Sequence, residues 1–148
     1  MQIKWIAVDV ETSGLDFTRD TLVSFAYWSD RYQGVLTDPE AIKRWFQENS
    51  TNYLIWHNGK FDVKFIKKAL GLDVPISWDT MHAESLLPDR PERLDLQTCV
   101  GKELGYPPWK SKEMYKDRGA SDLDSVAALN LTDVEYTYRL FKVQIDKI

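Results

Sequence analysis

The segment Ile3–Val10 constrains the fold most, because it is a mostly apolar run with acidic residues inside it and directly after it. The run is typical of a β-strand, in which alternate side chains share a face, so Asp9 and Glu11 are expected on one face and Val8 and Val10 on the other. Neighbouring carboxylates repel each other unless a cation lies between them. Magnesium or manganese, hard ions that prefer oxygen ligands, are the simplest candidates. Two solvated acids at a strand end are the alternative that the pattern leaves open.

The bulk composition indicates one ordinary globular domain over residues 1–148. Hydrophobic residues make up 43% and charged residues 28% of the chain, which argues against disorder. The single cysteine, Cys99, excludes an internal disulfide framework, and we expect it to be a small buried apolar residue. Neither a signal peptide nor a bilayer-spanning stretch is visible, so the expected location is the cytoplasm, without a membrane partner.

The net charge of −4 and the pI near 5.2 argue against a protein that coats nucleic acid through a broad basic face. A nuclease is still compatible with this charge, because divalent cations bound to clustered carboxylates reverse the local field. We then expect a weak, salt-sensitive grip on substrate and distributive action.

The order of predicted elements favours an α/β fold with a mixed sheet, because antiparallel strands come first and a crossover strand follows. Strands are predicted at Ile3–Val10, Thr21–Ser29, Tyr32–Thr37 and Tyr53–Trp56, with a brief extended piece at Val74–Trp78. Helices are predicted at Glu40–Glu48, Lys60–Leu70, from the cap Asp79 to Leu87, Leu94–Leu104 and Asp122–Ile145.

Two further acids stand out by their context. Asp62 lies one turn into the helix that follows strand Tyr53–Trp56, four residues after Asn58. Asp133 lies in the middle of the last helix, with Asn130 among its helical neighbours. Taken alone, each is better explained as a surface acid than as a metal ligand.

Together these residues resemble the three exonuclease motifs of the DEDD superfamily of 3′-5′ exonucleases, which share a ribonuclease H-like fold. The matching elements are Asp9-x-Glu11-Thr12, the Asn58-x-x-x-Asp62 spacing, and Asp133 on the last helix. The likeness is greatest to the proofreading domain of family A DNA polymerases. The segments Asp79–Met81 and Leu94–Leu104 also resemble that domain, and the likeness extends from Ile3 to Leu140.

The resemblance implies a catalytic set of Asp9, Glu11, Asp62 and Asp133 that holds two Mg²⁺ or Mn²⁺ ions. Two such ions, about 3.5 to 4 Å apart, activate water and stabilise the leaving oxygen in phosphodiester hydrolysis. By the same analogy Asp9 bridges both ions, Glu11 and Asp133 serve the ion on the nucleophile side, and Asp62 leans toward the other ion through water. Asp79 is expected to be a helix N-cap and not a metal ligand.

The sequence departs from the family where a side chain normally orients the attacking water. The family places a tyrosine four residues, or a histidine five residues, before the last aspartate. Here those positions hold Leu129 and Ala128, which cannot hydrogen-bond water. Tyr136 follows Asp133 on the wrong side for this role, and Tyr115 would reach the site only if its loop folded over it. Slowed catalysis is therefore expected, and a degenerate domain kept for binding is the alternative.

Substrate contacts are also implied by the resemblance. The Thr12 backbone would meet the terminal sugar, Leu15 would wedge against its base, and Asn58 would contact the strand beside the scissile phosphate. The structural alternatives are a buried turn residue for Leu15 and a helix cap for Asn58.

Basic residues occur in two groups, and most are expected to be solvated. If one group steers phosphate, the long loop is the first candidate, because an exposed Trp109 beside basic residues would suit single strands. The loop group is Lys110, Lys112, Lys116 and Arg118, and the other group is Lys60, Lys64, Lys67 and Lys68. His57 and His82 lack partners at zinc spacing and are not expected to bind metal.

The expected function is a monomeric, stand-alone 3′-5′ exonuclease that acts on single-stranded or frayed DNA 3′ ends and releases nucleoside 5′-monophosphates. An exoribonuclease is the first alternative, because four carboxylates do not read the sugar. A catalytically weak nucleic-acid-binding or docking module is the second, because of Leu129. A separate polymerase or a replication or repair protein is the expected protein partner.

Overall fold

A computed structural model of the chain describes residues 4–110 and 123–148, and these form a five-stranded mixed sheet with helices on both faces. The strands are β1 (Trp5–Thr12), β2 (Leu22–Trp28), β3 (Gln33–Leu36), β4 (Tyr53–Trp56) and β5 (Trp78–Asp79), in the spatial order β3-β2-β1-β4-β5. The pairs β1/β2 and β2/β3 are antiparallel, whereas β1/β4 and β4/β5 are parallel. The predicted mixed sheet is therefore confirmed.

Strand β1 lies at the centre of the sheet, and its alternating side chains divide the core in two. Ile6, Val8 and Val10 pack on one face with the two helices α1 (Pro39–Glu48) and α2 (Gly59–Leu70). Ala7 packs on the other face with the last helix, here α5 (Leu123–Lys147). Asp9 shares the face of Ala7, so the strand directs it toward α5.

Two shorter helices complete the described chain. Helix α3 (Thr80–Ser85) begins at the N-cap Asp79, and α4 (Leu96–Leu104) begins at the N-cap Asp95 and ends at Gly105. A buried polar network joins α3 to α5, in which the Gln144 amide donates to the Thr80 carbonyl (2.8 Å) and to Glu84 Oε1 (2.9 Å). This network helps to fix the orientation of α5 on the sheet.

Several predicted boundaries were wrong by a few residues. The extended piece predicted at Val74–Trp78 is the strand Trp78–Asp79, and the last helix ends at Lys147 and not at Ile145. The strand β1 continues past Val10 to Thr12, so Glu11 belongs to the strand, with a register irregularity between Glu11 and Thr12. Helix α3 stops at Ser85, and Leu86 is exposed because it lies in the turn after the helix. Helix α4 starts at Leu96, because Asp95 accepts from the Thr98 N–H and so fixes the cap there.

Strand β1 is longer than its parallel neighbour β4, whose last partner in β1 is Ala7. The end of β1 therefore projects beyond β4, and its remaining backbone donors on that side need other partners. The carboxyl ends of parallel strands are common places for functional sites. No helix among residues 4–110 and 123–148 is long and apolar enough to cross a membrane.

Candidate active site

Three acidic side chains converge at the projecting end of β1. One carboxylate oxygen from each of Asp9, Glu11 and Asp133 lies within 4.8 Å of those of the other two. Glu11 and Asp133 are buried, with 4% and 5% of their surface exposed, and Asp9 is half-buried. Asp133 reaches the strand because α5 packs its Val134 and Tyr138 on the Ala7 face of the sheet. The folded chain thus brings together acids that are more than a hundred residues apart in sequence.

Asp62 approaches the same strand from the other side of the sheet. It lies in the first turn of α2, is buried, and accepts a hydrogen bond from the Val10 N–H through Oδ2 at 3.3 Å. Val10 lies beyond the last residue that pairs with β4, so Asp62 satisfies a backbone donor that the sheet leaves unpaired. The structure therefore places Asp62 beside the other three acids but outside their tightest cluster.

Burial and the clustered charges raise the pKa values of two of the acids. The pKa of Asp9 is raised well above its ordinary value, first by burial and then by the carboxylates of Asp62, Glu11 and Asp133. Burial also raises the pKa of Asp62, although its hydrogen bond from Val10 opposes the shift. Both groups therefore hold a proton more tightly than isolated carboxyl groups when no cation balances them.

The donor set fits hard divalent cations. Carboxylate oxygens are the ligands that magnesium and manganese prefer, and the three-acid cluster is compact enough for one ion to contact all of its members. A cation would also relieve the repulsion that raises the pKa of Asp9. We conclude that Asp9, Glu11 and Asp133, with Asp62 adjacent, are residues that could hold divalent metal.

A fully buried amide fixes Asp9 in this cluster. The Asn130 side chain donates to Asp9 Oδ2 at 2.8 Å and to the Asp9 backbone carbonyl at 3.2 Å, and it accepts from the Ser24 hydroxyl at 2.7 Å. Asn130 lies one turn before Asp133 on α5, so one helix carries both the acid and the group that orients its neighbour. In the sequence, Asn130 is recognisable as a helical neighbour of Asp133, but no role for it is predicted there.

Trp109 and Lys110 bind both oxygens of Asp133. The Trp109 indole N–H donates to Oδ1 at 2.9 Å, and the Lys110 ammonium lies 3.1 Å from Oδ2 in a largely buried ion pair. Trp109 also packs edge-on against Tyr136, with ring centroids 4.6 Å apart. Trp109 is therefore half-buried and not exposed as expected, because these contacts turn the indole toward Asp133. Lys110 is likewise largely buried and not solvated. Contact of this loop with single strands stays a prediction, and Lys112, Lys116 and Arg118 lie outside the described residues.

The residues predicted to contact substrate lie at the end of β1, in the loop after it and at the start of α2. Thr12 is buried at the end of β1, where its hydroxyl donates to the Gly14 carbonyl at 2.7 Å. Leu15 is 79% exposed, which excludes the alternative of a buried turn residue. Asn58 occupies the N-cap position of α2 in the left-handed conformation (φ 59°), and its side chain makes no capping hydrogen bond. A role for the exposed Asn58 side chain in capping is thus excluded as well.

Asp79 is a helix N-cap, as the sequence predicted, and His57 also has structural contacts. Asp79 accepts from the backbone N–H groups of Asn58 and Gly59 (3.0 and 2.9 Å) and from that of Met81 (3.0 Å), so it caps two helices. Both His57 ring nitrogens are engaged, by the Thr80 hydroxyl (2.7 Å) and the Leu94 carbonyl (2.8 Å), and burial lowers the pKa of this ring. Neither nitrogen is available to a metal ion.

The position of the usual water-orienting side chain is occupied by apolar residues. Leu129 is half-buried on α5 and Ala128 is exposed, and neither carries a polar group. The Tyr136 ring packs against the rings of Tyr106 and Trp109. Tyr115 lies outside the described residues.

The raised pKa of Asp9 predicts that removing its charge stabilises the metal-free protein. A group whose pKa is raised in the folded state contributes stability at low pH, and this contribution is lost as pH rises from about 4 through the raised pKa. Asp9→Asn keeps an acceptor for Asn130 and should gain roughly 1 kcal/mol at neutral pH and less in acid. Urea unfolding in a chelator at both pH values measures this, with the exposed Asp146→Asn as control. An Asn variant that is less stable at neutral pH would contradict the electrostatic account.

The Lys110–Asp133 contact predicts that the lysine competes with divalent metal. Because the ammonium already neutralises Asp133, Lys110→Met should raise the affinity for Mn²⁺ by about three- to tenfold, which corresponds to about 1 kcal/mol. Isothermal titration measures the affinity, and Lys142→Met, an exposed lysine at the far end of α5, is the matched control. A fall in affinity would show instead that Lys110 holds Asp133 in position for the ion.

Comparison with known proteins agrees with this geometry. The 3′-5′ exonuclease family matches residues 1–144. DNA polymerase I of Borreliella burgdorferi is 26% identical over 98% of this chain, which spans only 18% of that polymerase. Brucella melitensis NrnC has a similar fold, with a TM-score of 0.78 at 23% identity over 98% of this chain and 73% of NrnC. A second structure, of NrnC with bound Mg²⁺, gives the same TM-score at 24% identity over the same shares. The motif-based resemblance and the ribonuclease H-like fold are thus confirmed, and the chain belongs to the 3′-5′ exonuclease family.

Proposed function

We propose that this exonuclease is metal-dependent and removes nucleoside 5′-monophosphates from the 3′ ends of single-stranded or frayed DNA. The observation that carries the proposal is the convergence of Asp9, Glu11 and Asp133 at the end of β1, with Asp62 alongside. Carboxylates so close together are costly unless they bind cations.

The proposed metal ligands are Asp9, Glu11, Asp62 and Asp133, and two Mg²⁺ or Mn²⁺ ions are the proposed cofactors. When bound, such ions lower the pKa of water and stabilise the oxygen that leaves phosphorus. Asn130 keeps Asp9 in place, and the Val10 N–H keeps Asp62 in place, so the acids are positioned before substrate arrives.

The reaction is the hydrolysis of one phosphodiester bond. Water attacks the terminal phosphorus, the bond to the 3′ oxygen of the preceding nucleotide breaks, and that oxygen takes up a proton to become the new 3′ hydroxyl. Thr12 at the end of β1, Leu15 in the loop after it and Asn58 at the start of α2 are the proposed contacts to the terminal nucleotide. Exposed Leu15 suits packing against a base, because apolar surface is otherwise left in water.

The observation that favours DNA is sequence similarity to a DNA polymerase, whereas one structural neighbour favours short oligonucleotides. That neighbour is Brucella melitensis NrnC bound to pGG, which is 24% identical to this chain. Short RNA is therefore the second candidate substrate. A separate polymerase or a replication or repair protein is the proposed partner, because a similar sequence occurs in a DNA polymerase.

Cleavage of labelled oligomers tests the proposal. DNA and RNA strands labelled at the 5′ end are incubated with Mg²⁺, Mn²⁺ or a chelator, and the products are resolved by length. A metal-dependent ladder that shortens from the 3′ end is expected. Asp9→Ala should reduce the rate at least a hundredfold, more than the about ten- to hundredfold loss typical of residues that only support metal ligands.

Asp146→Ala provides the matched control, because Asp146 is an exposed acid on the same helix as Asp133 but near its C-terminal end. Its rate should equal that of the wild-type protein. Binding of the strands without any metal-dependent ladder would refute the proposal and favour a binding module, in which Leu129 marks the loss of catalysis.

A further inference from the structure

Helix α2 carries lysines along one exposed face. Lys60, Lys64, Lys67 and Lys68 recur at helical spacing, and all four are exposed. Lys67 pairs with Asp73 at 3.0 Å, in a pair that is open to solvent. Within residues 4–110 and 123–148, the other three have no carboxylate partner at ion-pair distance. We call Lys60, Lys64 and Lys68 the lysine face.

The loop between β1 and β2 places two apolar side chains in front of the lysine face. Leu15 is 79% and Phe17 is 43% exposed, and the Lys64 ammonium lies 5.8 Å from the centre of the Phe17 ring. Lys68 is near enough to Asp16 to add to the lowering of its carboxyl pKa, which hydrogen bonds from Thr18 mainly cause. Loop and helix therefore lie side by side.

Internal hydrogen bonds hold the loop in this shape. The Asp16 N–H donates to Asp20 Oδ2 at 2.9 Å, and the Thr18 N–H donates to Asp16 Oδ1 at 2.9 Å. The Ser13 N–H donates to the Thr21 carbonyl at 2.9 Å and closes the loop at its base. The exposure of Leu15 and Phe17 is thus a property of an ordered loop, which leaves apolar surface in water without a partner inside the described chain.

Two cavities that share Phe17 and Lys64 lie between the loop and α2, and we call them together the cleft. The first, about 240 Å³, is lined by Leu15, Phe17 and the start of α2 from Asn58 to Phe65. The second, about 360 Å³, extends to Lys68. The first cavity reaches Asn58, four residues before the buried Asp62.

The lining chemistry matches a single nucleic-acid strand. Exposed apolar and aromatic side chains stack on bases of any sequence, and lysines contact the phosphates that connect them. Lys60 and Lys68 are eight residues apart, which is about 12 Å along the helix axis, so the lysine face can contact more than one phosphate of a strand.

We propose that the cleft between the loop Leu15–Asp20 and the lysine face of α2 binds the part of the single strand that precedes the scissile bond. This inference rests on the proposed function and adds the path that the substrate takes. Trp109 and Lys110, which belong to the long loop, instead contact Asp133. A strand in the cleft would pass its phosphates along Lys60, Lys64 and Lys68 before its end reaches the acids.

Salt-dependent binding tests the path. A twelve-nucleotide single strand with a 5′ fluorophore is titrated with protein in a chelator, and anisotropy gives the affinity at several salt concentrations. Changing Lys60, Lys64 and Lys68 together to Ala should weaken binding at least tenfold and reduce the slope of log K against log salt by about 2, since each lost phosphate contact on a single strand contributes about 0.7. The loss should be smaller for a dinucleotide, which cannot reach the far lysines.

The matched control removes the same charge from another cavity. Lys4, Arg31 and Lys142 line a cavity of about 400 Å³ next to Trp5, at the opposite end of β1 from the acids. Their triple Ala variant should bind as the wild-type protein does. Equal losses in the two variants, or an unchanged lysine-face variant, would overturn the proposed path.

A second measurement separates this inference from the proposed function. Metal-dependent cleavage of a dinucleotide reports on the acids, whereas the salt slope reports on the cleft. If the wild-type protein cleaves the dinucleotide but the two triple variants bind the strand equally well, the proposed path is refuted and the proposed function stands. Absence of cleavage and of strand binding by the wild-type protein refutes both.

Discussion

The repulsion among carboxylates at the end of β1 is the constraint on which the rest of the site depends. Asp9, Glu11 and Asp133 lie within 4.8 Å of one another, and burial removes much of the water that would screen them. Such a cluster does not stabilise the fold. Its unfavourable electrostatic free energy is seen in the raised pKa values of Asp9 and Asp62. Sites of this kind are typical of function, where strain is maintained by the surrounding structure.

Neutral and cationic hydrogen-bond donors in the surrounding structure bind the carboxylates that repel one another. Asn130 donates to Asp9, the Val10 N–H donates to Asp62, and Trp109 with Lys110 binds Asp133. These contacts come from a strand, a helix and a loop, so the site is supported by several elements of the fold. Lys110 differs from the other donors, because its positive charge competes with any metal ion for Asp133.

The family and most of the fold could be predicted, because short sequence patterns indicate them. The alternation Val8-Asp9-Val10-Glu11 indicated a strand with both acids on one face. In the structure Val8 and Val10 lie in one core, and Asp9 and Glu11 belong to the acidic cluster. Capping by Asp79 could likewise be predicted, because the hydrogen bonds of an N-cap join residues that are close in sequence. Element ends were less predictable, because tertiary contacts decide them.

The orientation of single side chains was not predictable. Trp109 and Lys110 belong to a polar, proline-containing stretch that indicates an exposed loop, yet both turn inward because Asp133 offers two acceptors. Asn130 gave no local signal of its partners, Asp9 and Ser24, which lie more than a hundred residues earlier. Contacts of this range arise from packing α5 on the sheet, which no short motif specifies.

The central claim is that the acids at the end of β1 form a divalent-cation site, and thermal unfolding with and without Mn²⁺ tests it most directly. A ligand that binds only the folded state at a hundredfold excess over Kd adds about 2.7 kcal/mol, or about 8 °C in Tm for a chain of this size. Wild-type protein should show this rise at constant ionic strength, and Asp133→Asn should lose most of it. An unchanged Tm in the wild-type protein, or an equal rise in Asp133→Asn, would contradict the account.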